Sequence, residues 1–278
     1  MLDPVDGKSH LKLGDLFKVL LRKRSPAQRP QCDDKRDKTA VLAIMKNEAL
    51  NVREWVDHYR WQGIDRIFLI DNGSTDGGPG LIEKEIREGY VELFSLPEPH
   101  KQWAHYQKAI VEGRILERVE WLVMADLDEF WFAPESLLGA AIDGLEDVDL
   151  VYANWKMFGA CGYQSHPPSL RRCLTLRHPV LSEHRDTKWI CRTAAIKHRR
   201  DISVHKVSGI DSARVVSDNV RFHLNHYPLQ SMEYFTKVKM TRGDVSSGTF
   251  DAVRTLDYFD RHDSPATLED RLLADAVP

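Results

Sequence analysis

Two aspartates separated by one residue are the residues of this chain best suited to bind a metal ion. Asp126 and Asp128 follow an apolar run at 121–125 that is typical of a buried strand. Because side chains alternate along a strand, both carboxylates point the same way at its carboxyl end. Paired carboxylates are typical ligands of Mg²⁺ or Mn²⁺, and such an ion usually also binds substrate phosphates. A strand that ends in a solvated acidic turn would show the same pattern, so other parts of the sequence are needed to distinguish a metal site from such a turn.

Two more polar loops follow strands that are predicted earlier in the chain. They are Lys-Asn-Glu at 46–48 and Asp-Asn-Gly-Ser at 71–74. In a parallel sheet the carboxyl ends of neighbouring strands share one edge, where open α/β folds bind ligands. The three loops together therefore describe a nucleotide site beside a metal site. Asp71 could accept a hydrogen bond from a base or ribose hydroxyl, and the turn after it offers backbone N–H groups.

The elements that must position these loops alternate between strand and helix. Strands are predicted at 39–45, 66–70, 90–96 and 121–125, and helices at 51–62, 81–88 and 103–119. This alternation predicts an α/β fold with a mostly parallel, doubly wound sheet. The second half is less regular, with short strands predicted at 149–154, 173–177, 189–196, 202–207 and 220–227, a helix at 229–241 and a weakly helical surface tail at 257–274.

The bulk composition limits the class of protein. The chain has 278 residues, a net charge of −3 and 42% hydrophobic residues, which suits one α/β domain with extensions and gives no electrostatic case for nucleic acid. Its four cysteines lack Cys-x-x-Cys spacing, so we expect free thiols in a reducing compartment. No apolar run reaches the length of a membrane span, and no signal peptide is evident. We therefore expect a cytoplasmic protein.

The first 38 residues differ in character from the rest. Apolar residues at helical spacing alternate with lysines and arginines over residues 10–24. This pattern indicates a basic amphipathic helix that could touch the inner face of an anionic membrane, although a helix packed on the domain or a partly disordered segment is the alternative. The predicted layout is an extension and linker at 1–38, an α/β domain at 39–245 and a tail at 246–278.

The motifs, in this order, resemble glycosyltransferases of the GT-A fold, and most closely the family 2-like branch related to family 92. The resemblance covers roughly residues 39–245. It rests on the Lys-Asn-Glu loop, on Trp55 and His58 in the next helix, and on Asp-Asn-Gly-Ser-Thr-Asp at 71–76 and Asp-Leu-Asp-Glu-Phe at 126–130. Later segments at 155–159, 188–190 and 226–227 also fit. The resemblance implies a Rossmann-like GT-A fold with a smaller mixed sheet on the acceptor side.

The resemblance also implies an activity and a set of site residues. The activity is inverting transfer of a sugar from a nucleotide-diphosphate donor, commonly a UDP-sugar, to a saccharide or other hydroxyl acceptor with Mn²⁺ or Mg²⁺. Family habit suggests polysaccharide biosynthesis. Asp126 and Asp128 would serve the metal and ribose, and a late histidine would complete the metal site, with His205 favoured over His226. The candidate residues for the nucleotide are Asn47, Glu48, Asp71, Asn72, Ser74, Lys101, Gln102 and Asp126.

An acceptor hydroxyl also needs a general base. Glu183 and Asp186 lie in a loop downstream of the Asp-x-Asp motif, near where such a base would fall, and Glu129 is closer to the motif. Solvated surface carboxylates are the alternative interpretation of Glu183 and Asp186, and a structural role that of Glu129. Basic clusters at 171–172 and 197–200 could contact a diphosphate or an acidic acceptor.

Three other functional classes can be compared with this hypothesis. Phosphohydrolases with an aspartyl nucleophile carry their Asp-x-Asp after the first strand, whereas here it follows a later strand. An NAD-dependent enzyme would show Gly-x-Gly-x-x-Gly after a first strand, and the glycine-rich turn at 71–80 does not. A non-catalytic module that binds nucleotide sugars or carbohydrates stays open, because binding and catalytic residues overlap.

Overall fold

A nine-stranded mixed sheet organises the residues that the structure, a computed structural model, describes, namely 36–99, 101–182, 187–241 and 254–278. The predicted helix at 10–24 and the candidate bases Glu183 and Asp186 lie outside these residues. The strands, including two of a separate small sheet, are β1 (Asp37–Met45), β2 (Arg66–Asp71), β3 (Val91–Ser95), β4 (Val119–Met124), β5 (Glu129–Phe132), β6 (Leu150–Met157), β7 (Leu176–Arg177), β8 (Thr187–Arg192), β9 (Val215–Ser217), β10 (His223–His226) and β11 (Leu268–Glu269).

Short helices connect these strands. They are α1 (Val52–Trp61), α2 (Glu83–Arg87), α3 (Gln102–Glu112), α4 (Ile115–Arg118), α5 (Leu138–Asp143), α6 (Leu170–Cys173), α7 (Met232–Tyr234), α8 (Leu256–Asp263) and α9 (Leu272–Ala276). A π-helix, Phe235–Lys239, continues α7 directly. Within the described ranges, no helix has both the length and the apolar character that a membrane crossing requires.

The strand order is β3-β2-β1-β4-β8-β6-β10-β5, and β9 pairs with β6. β1 to β4 are parallel to one another, β8 runs antiparallel to both β4 and β6, and β5 is antiparallel to β10. The predicted α/β class with a mostly parallel sheet is confirmed. The mixed half is continuous with the parallel half, because β8 pairs on both sides, and the separate small sheet consists of β7 and β11.

Burial explains why the first strands form where they do. Residues 40–45 of β1 are all buried, without the polar alternation of a strand that faces water. A parallel strand has this character when helices cover both faces of its sheet. On one face α1 packs Val52, Trp55, Val56 and Tyr59 against the core, and on the other face lie residues of α3 and α4, including Tyr106, Ile110 and Ile115.

The described part of the C-terminal segment packs on the domain. Asp270 is buried and pairs with Lys156 of β6 at 2.9 Å and with Arg177 of β7 at 2.8 Å. His178 donates from Nε2 to the carbonyl of His262 at 2.7 Å. Residues 254–278 therefore contribute to the structure around β6 and β7. The predicted domain boundaries stay a prediction.

Gly139 of α5 lies directly against the residues that follow α1. Its N–H donates to the carbonyl of Gln62 at 2.9 Å, and a Cβ at this position would overlap the carbonyl oxygen of Gly63. We expect Gly139→Ala to lower the free energy of unfolding by about 1–3 kcal/mol, measured by urea denaturation. Gly144→Ala is the matched control, because the nearest atom to its Cβ would be 3.7 Å away. Equal stability of both variants would contradict the prediction.

Candidate active site

A cavity of about 610 Å³ opens at the edge where β1, β2 and β4 end. The loops after these three strands all contribute to its wall, as the sequence predicted for a shared edge. Residues of β6, of the segments before and after β8, of β10, of the π-helix and of the C-terminal segment form the rest. Polar and aromatic residues that line it are Lys46, Glu48, Asn72, Gln102, Asp126, Asp128, Trp155, His178, Ser182, His205, His226, Lys239, Arg254, Tyr258 and His262.

The first two polar loops are joined to each other by side-chain hydrogen bonds. Asp71 accepts from the backbone N–H of Ser74 at 2.9 Å, and the Ser74 hydroxyl accepts from the N–H of Asn47 at 3.0 Å. Asn47 has a φ of 55°, a left-handed conformation that asparagine tolerates, and its side chain accepts from the N–H of Thr75 at 2.8 Å. Asn47, Asp71 and Ser74 thus hold the two loops in one arrangement.

Other candidate residues for the nucleotide brace the cavity wall. Asn72 is buried and donates to the carbonyl oxygens of Leu96 at 2.7 Å and Glu98 at 2.9 Å. Glu48, also buried, accepts from the Asn51 amide at 2.6 Å and from the Tyr234 hydroxyl at 2.9 Å. At the start of α3, Gln102 lines the cavity and Lys101 is exposed.

Three polar contacts fix the position of Asp126. Its Oδ2 lies 2.7 Å from the Nζ of Lys188, a β8 lysine with no exposed side-chain surface. Its N–H donates to Glu129 Oε2 at 2.9 Å, and its carbonyl accepts from the indole N–H of Trp55 at 2.9 Å. About a third of the Asp126 side chain, 32%, stays exposed. The carboxylate is therefore fixed in position and open to a ligand in the cavity.

Asp128 has a different set of partners. Its Oδ2 pairs with the Nζ of Lys239, the last residue of the π-helix, and both side chains are buried. Its Oδ1 lies 3.6 Å from Nε2 of His226. Burial opposes ionisation of this carboxyl, but Lys239 and His226 outweigh it and hold the pKa of Asp128 well below its usual value. Asp128 is thus an anion at neutral pH.

The two candidate histidines both contact Trp155. The ring centroid of Trp155 is 4.4 Å from that of His226 and 5.6 Å from that of His205. His205 donates from Nδ1 to the carbonyl of Thr187 at 2.9 Å. His226 is the histidine that the structure brings to Asp128, whereas the sequence favoured His205.

Asp128 and His226 fit as protein ligands of a divalent ion. Two ligands about 2.1 Å from one ion lie about 3.0–3.4 Å apart at right to tetrahedral angles, and Asp128 Oδ1 and His226 Nε2 are 3.6 Å apart, so a shift of a few tenths of an ångström would bring both to one ion. No cluster of three such side chains suited to a metal occurs among the described residues. Ions of the Mg²⁺ type commonly take one or two protein ligands and complete their shell with substrate phosphates and water. The donor set therefore suits an ion shared between protein and substrate.

The sequence profile of glycosyltransferase family 92 matches residues 41–255 of this chain. The chain belongs to glycosyltransferase family 92. The resemblance that the motifs predicted is confirmed. Among curated relatives, the family 92 protein At1g27200 of Arabidopsis thaliana is 29% identical over 129 residues, 45% of this chain and 22% of that protein. The family 92 protein RCOM_0530710 of Ricinus communis is 25% identical over 210 residues, 73% of this chain and 37% of that protein.

The chain therefore spans well under half the length of these family 92 relatives. Among solved structures it is similar to Staphylococcus aureus TarS 1–349 in complex with UDP, with 17% identity, a TM-score of 0.43 and coverage of 68% of this chain and 60% of that chain. It is also similar to a Pyrobaculum calidifontis mannosyltransferase in complex with GDP-Man and Mn²⁺, with 15% identity, a TM-score of 0.43 and coverage of 75% and 62%.

Two buried lysines of the candidate active site were not predicted from the sequence. Lys188 and Lys239 lie 62 and 111 residues from the aspartates that they contact. A lysine within the apolar β8 segment was the available signal, because a buried lysine needs an anionic partner. The basic clusters lie elsewhere: Arg171 pairs with Glu54 at 2.9 Å, and residues 197–200 line a second cavity with Arg114.

Glu129 is a buried acid next to the two aspartates of the candidate active site. It is completely buried, and burial together with Asp126 and Asp128 raises its pKa well above the usual value, although Lys188 lies 3.5 Å away. Glu129 has no exposed side-chain surface and its Oε2 accepts the N–H of Asp126, so it is better placed to position Asp126 than to accept a proton from a substrate.

The raised pKa of Glu129 predicts how stability depends on pH. In the unfolded chain Glu129 loses its proton near pH 4.5, its ordinary value, whereas the folded protein keeps it to higher pH. Stability of the wild type should fall by up to about 1.4 kcal/mol per pH unit above that point, until the folded pKa is passed. Glu129→Gln removes this loss, so its stability relative to wild type should rise with pH.

Urea denaturation between about pH 4.5 and pH 8 measures this difference. Glu85 is the matched control, since it is also buried but its hydrogen bond with Arg53 lowers its pKa. Glu85 is therefore ionised in both folded and unfolded chains over most of this pH range, and the profile of Glu85→Gln should run parallel to that of wild type. Parallel pH profiles for Glu129→Gln and wild type would show that Glu129 is ionised in the folded protein.

Proposed function

We propose that this chain is a metal-dependent inverting glycosyltransferase that moves a sugar from a nucleotide-diphosphate donor, with UDP-sugars the first candidates, to a saccharide or other hydroxyl acceptor. The observation that carries this proposal is the pair of fixed carboxylates, Asp126 and Asp128, with His226 beside Asp128 in one cavity at the carboxyl edge of the sheet. Membership of family 92 supports the reaction class.

On the donor side, each aspartate has its own task. The exposed part of Asp126 can accept hydrogen bonds from a ribose, while Lys188 and the N–H contact with Glu129 keep the carboxylate in place. Asp128 and His226 would hold Mn²⁺ or Mg²⁺, which when bound offsets the charge that develops on the leaving diphosphate. Lys46 and Gln102 line the same cavity and can contact the nucleotide.

On the acceptor side, the cavity wall is aromatic and comes from β6 and the C-terminal segment. Trp155 lies next to His226, and Tyr258 packs against His262 with ring centroids 4.3 Å apart. Aromatic faces combined with nearby polar groups are suited to sugar rings, which have apolar faces and hydroxyl rims. We infer a saccharide acceptor that enters beside Trp155 and Tyr258.

The proton of the acceptor hydroxyl requires a base. Glu129 is completely buried and accepts the N–H of Asp126, so its proposed role is to position Asp126. Glu183 and Asp186 remain the candidate bases. They immediately precede β8, which carries Lys188, and Ser182 just before them lines the cavity. Anomeric configuration of donor and product, determined by NMR, tests the inverting mechanism.

The test of the function is a panel of UDP- and GDP-sugars offered to the purified protein with Mn²⁺ or with EDTA. Thermal shift reports binding, and nucleotide release in the presence of oligosaccharide acceptors reports turnover. We expect one donor to stabilise the protein only with Mn²⁺ and to be consumed when an acceptor is present. Absence of binding by every nucleotide sugar with metal would refute the proposal. Binding without turnover on any acceptor would favour a non-catalytic module.

A further inference from the structure

Lys239, the last residue of the π-helix, lies beside Asp128 in the cavity. Lys239 is 3% exposed and its ammonium pairs with Asp128 Oδ2, while the other oxygen of Asp128 faces His226. All three residues line the cavity. We propose that Lys239 binds the diphosphate of the donor and, while no donor is bound, neutralises Asp128 in place of the divalent ion. This inference rests on the proposed function.

The backbone geometry supports a functional role for Lys239. α7 begins at Met232 as an ordinary helix, capped by the Ser231 hydroxyl, and changes to a π-helix over Phe235–Lys239. π-helical turns are rare and are frequent at functional sites, because the extra residue turns one side chain in a new direction. Here that turn ends at the buried Lys239. Lys237 of the same π-helix is exposed and pairs with Glu233 at 2.7 Å.

Electrostatics determines what Lys239 does before and after donor binding. The ion pair with Lys239 neutralises Asp128, so a divalent ion that approaches the carboxylate alone is repelled by the ammonium at short range. A nucleoside diphosphate adds at least two negative charges, which attract both the ion and the ammonium. Lysine is a common phosphate ligand in proteins. Binding of metal and binding of nucleotide should therefore be strongly cooperative, and Lys239 should be the reason.

The experiment compares wild type with Lys239→Met in three binding measurements. These are Mn²⁺ alone by electron paramagnetic resonance, UDP in EDTA by calorimetry, and UDP with Mn²⁺; GDP replaces UDP if only GDP binds wild type. We expect Lys239→Met to bind Mn²⁺ alone about tenfold more tightly and UDP in EDTA about tenfold more weakly, so that the cooperativity falls. Lys239→Arg keeps the charge and should retain the cooperativity.

Two control variants separate this role from loss of structure. Lys237→Met tests an exposed lysine on the same π-helix, and Lys156→Met tests another buried lysine paired with an aspartate, Asp270 at 2.9 Å. Neither should change Mn²⁺ or UDP binding. If Lys239→Met does not fold, Asp128→Asn combined with Lys239→Met removes the uncompensated charge, and it should bind UDP in EDTA more weakly than Asp128→Asn alone.

Two results would overturn the inference. One is unchanged Mn²⁺ and UDP binding in Lys239→Met, which would assign Lys239 a purely structural role. The other is equal UDP binding in EDTA by Asp128→Asn and the double variant. Both results differ from the one expected if the proposed function is wrong. In that case wild type itself binds neither UDP nor GDP in the presence of Mn²⁺.

Discussion

Asp128→Asn is expected to lower kcat/KM by about 10²–10³-fold and to abolish the Mn²⁺-dependent part of donor binding. Asparagine keeps the shape of the side chain but removes the charge that a divalent ion and Lys239 both require. The measurements are nucleotide release under steady-state conditions and the thermal shift that a nucleotide sugar produces with and without Mn²⁺.

The control for Asp128→Asn is a second buried aspartate. Asp270 is similarly enclosed and pairs with Lys156 and Arg177, so Asp270→Asn should reduce stability in a comparable way. It should leave the Mn²⁺ dependence of donor binding intact. If Asp128→Asn retains a wild-type response to Mn²⁺, then Asp128 is not a ligand of the ion and the assignment to Asp128 and His226 must be abandoned.

Lys188→Met should have the largest effect on stability, with a loss of about 3 kcal/mol in the free energy of unfolding. Lys188 is completely buried, and its Nζ lies 2.7 Å from Asp126 and 3.5 Å from Glu129. Removing the ammonium leaves the Asp126 carboxylate without its compensating charge. The loss should be at the lower end for a broken buried pair, because water reaches the exposed third of Asp126. Urea denaturation provides the measurement.

A double-mutant cycle identifies the source of this loss. Asp126→Asn together with Lys188→Met removes both charges, and the double variant should be more stable than the sum of the two single losses predicts. Additive losses would mean that Lys188 stabilises the fold through its packing beneath Trp155, whose ring lies 5.8 Å from Nζ, and not through Asp126.

Much of the fold was predictable because its signals are local. The apolar runs at 39–45, 66–70 and 121–125 predicted β1, β2 and β4 to within two residues of the observed ends. Burial on both faces imposes a continuous apolar pattern on a parallel strand, and this pattern is visible in a single sequence. Parallel pairing of these strands is enough to predict that the three polar loops lie at one edge of the sheet, and in the structure all three contribute to one cavity.

Elements that depend on distant contacts were predicted less well. Residues 229–241 have helical periodicity, but the structure forms α7 and then a π-helix, whose end meets Asp128. Residues 202–207 have strand-like composition, yet only Ile202 and Val207 form an isolated bridge. The segment at 257–274, predicted as a surface tail, contributes Tyr258 and His262 to the cavity. In each case tertiary contacts override the local preference.

The sequence by itself determined the class of fold, the family and the position of Asp126 and Asp128 at the end of a buried strand. Spacing of residues along the chain carries that information directly. The tertiary structure decided which cations face those carboxylates and which histidine lies beside them. Lys188, His226 and Lys239 reach the motif across 62 to 111 residues. Partners at such separations are chosen by strand pairing and packing, and buried charges require partners wherever the fold supplies them.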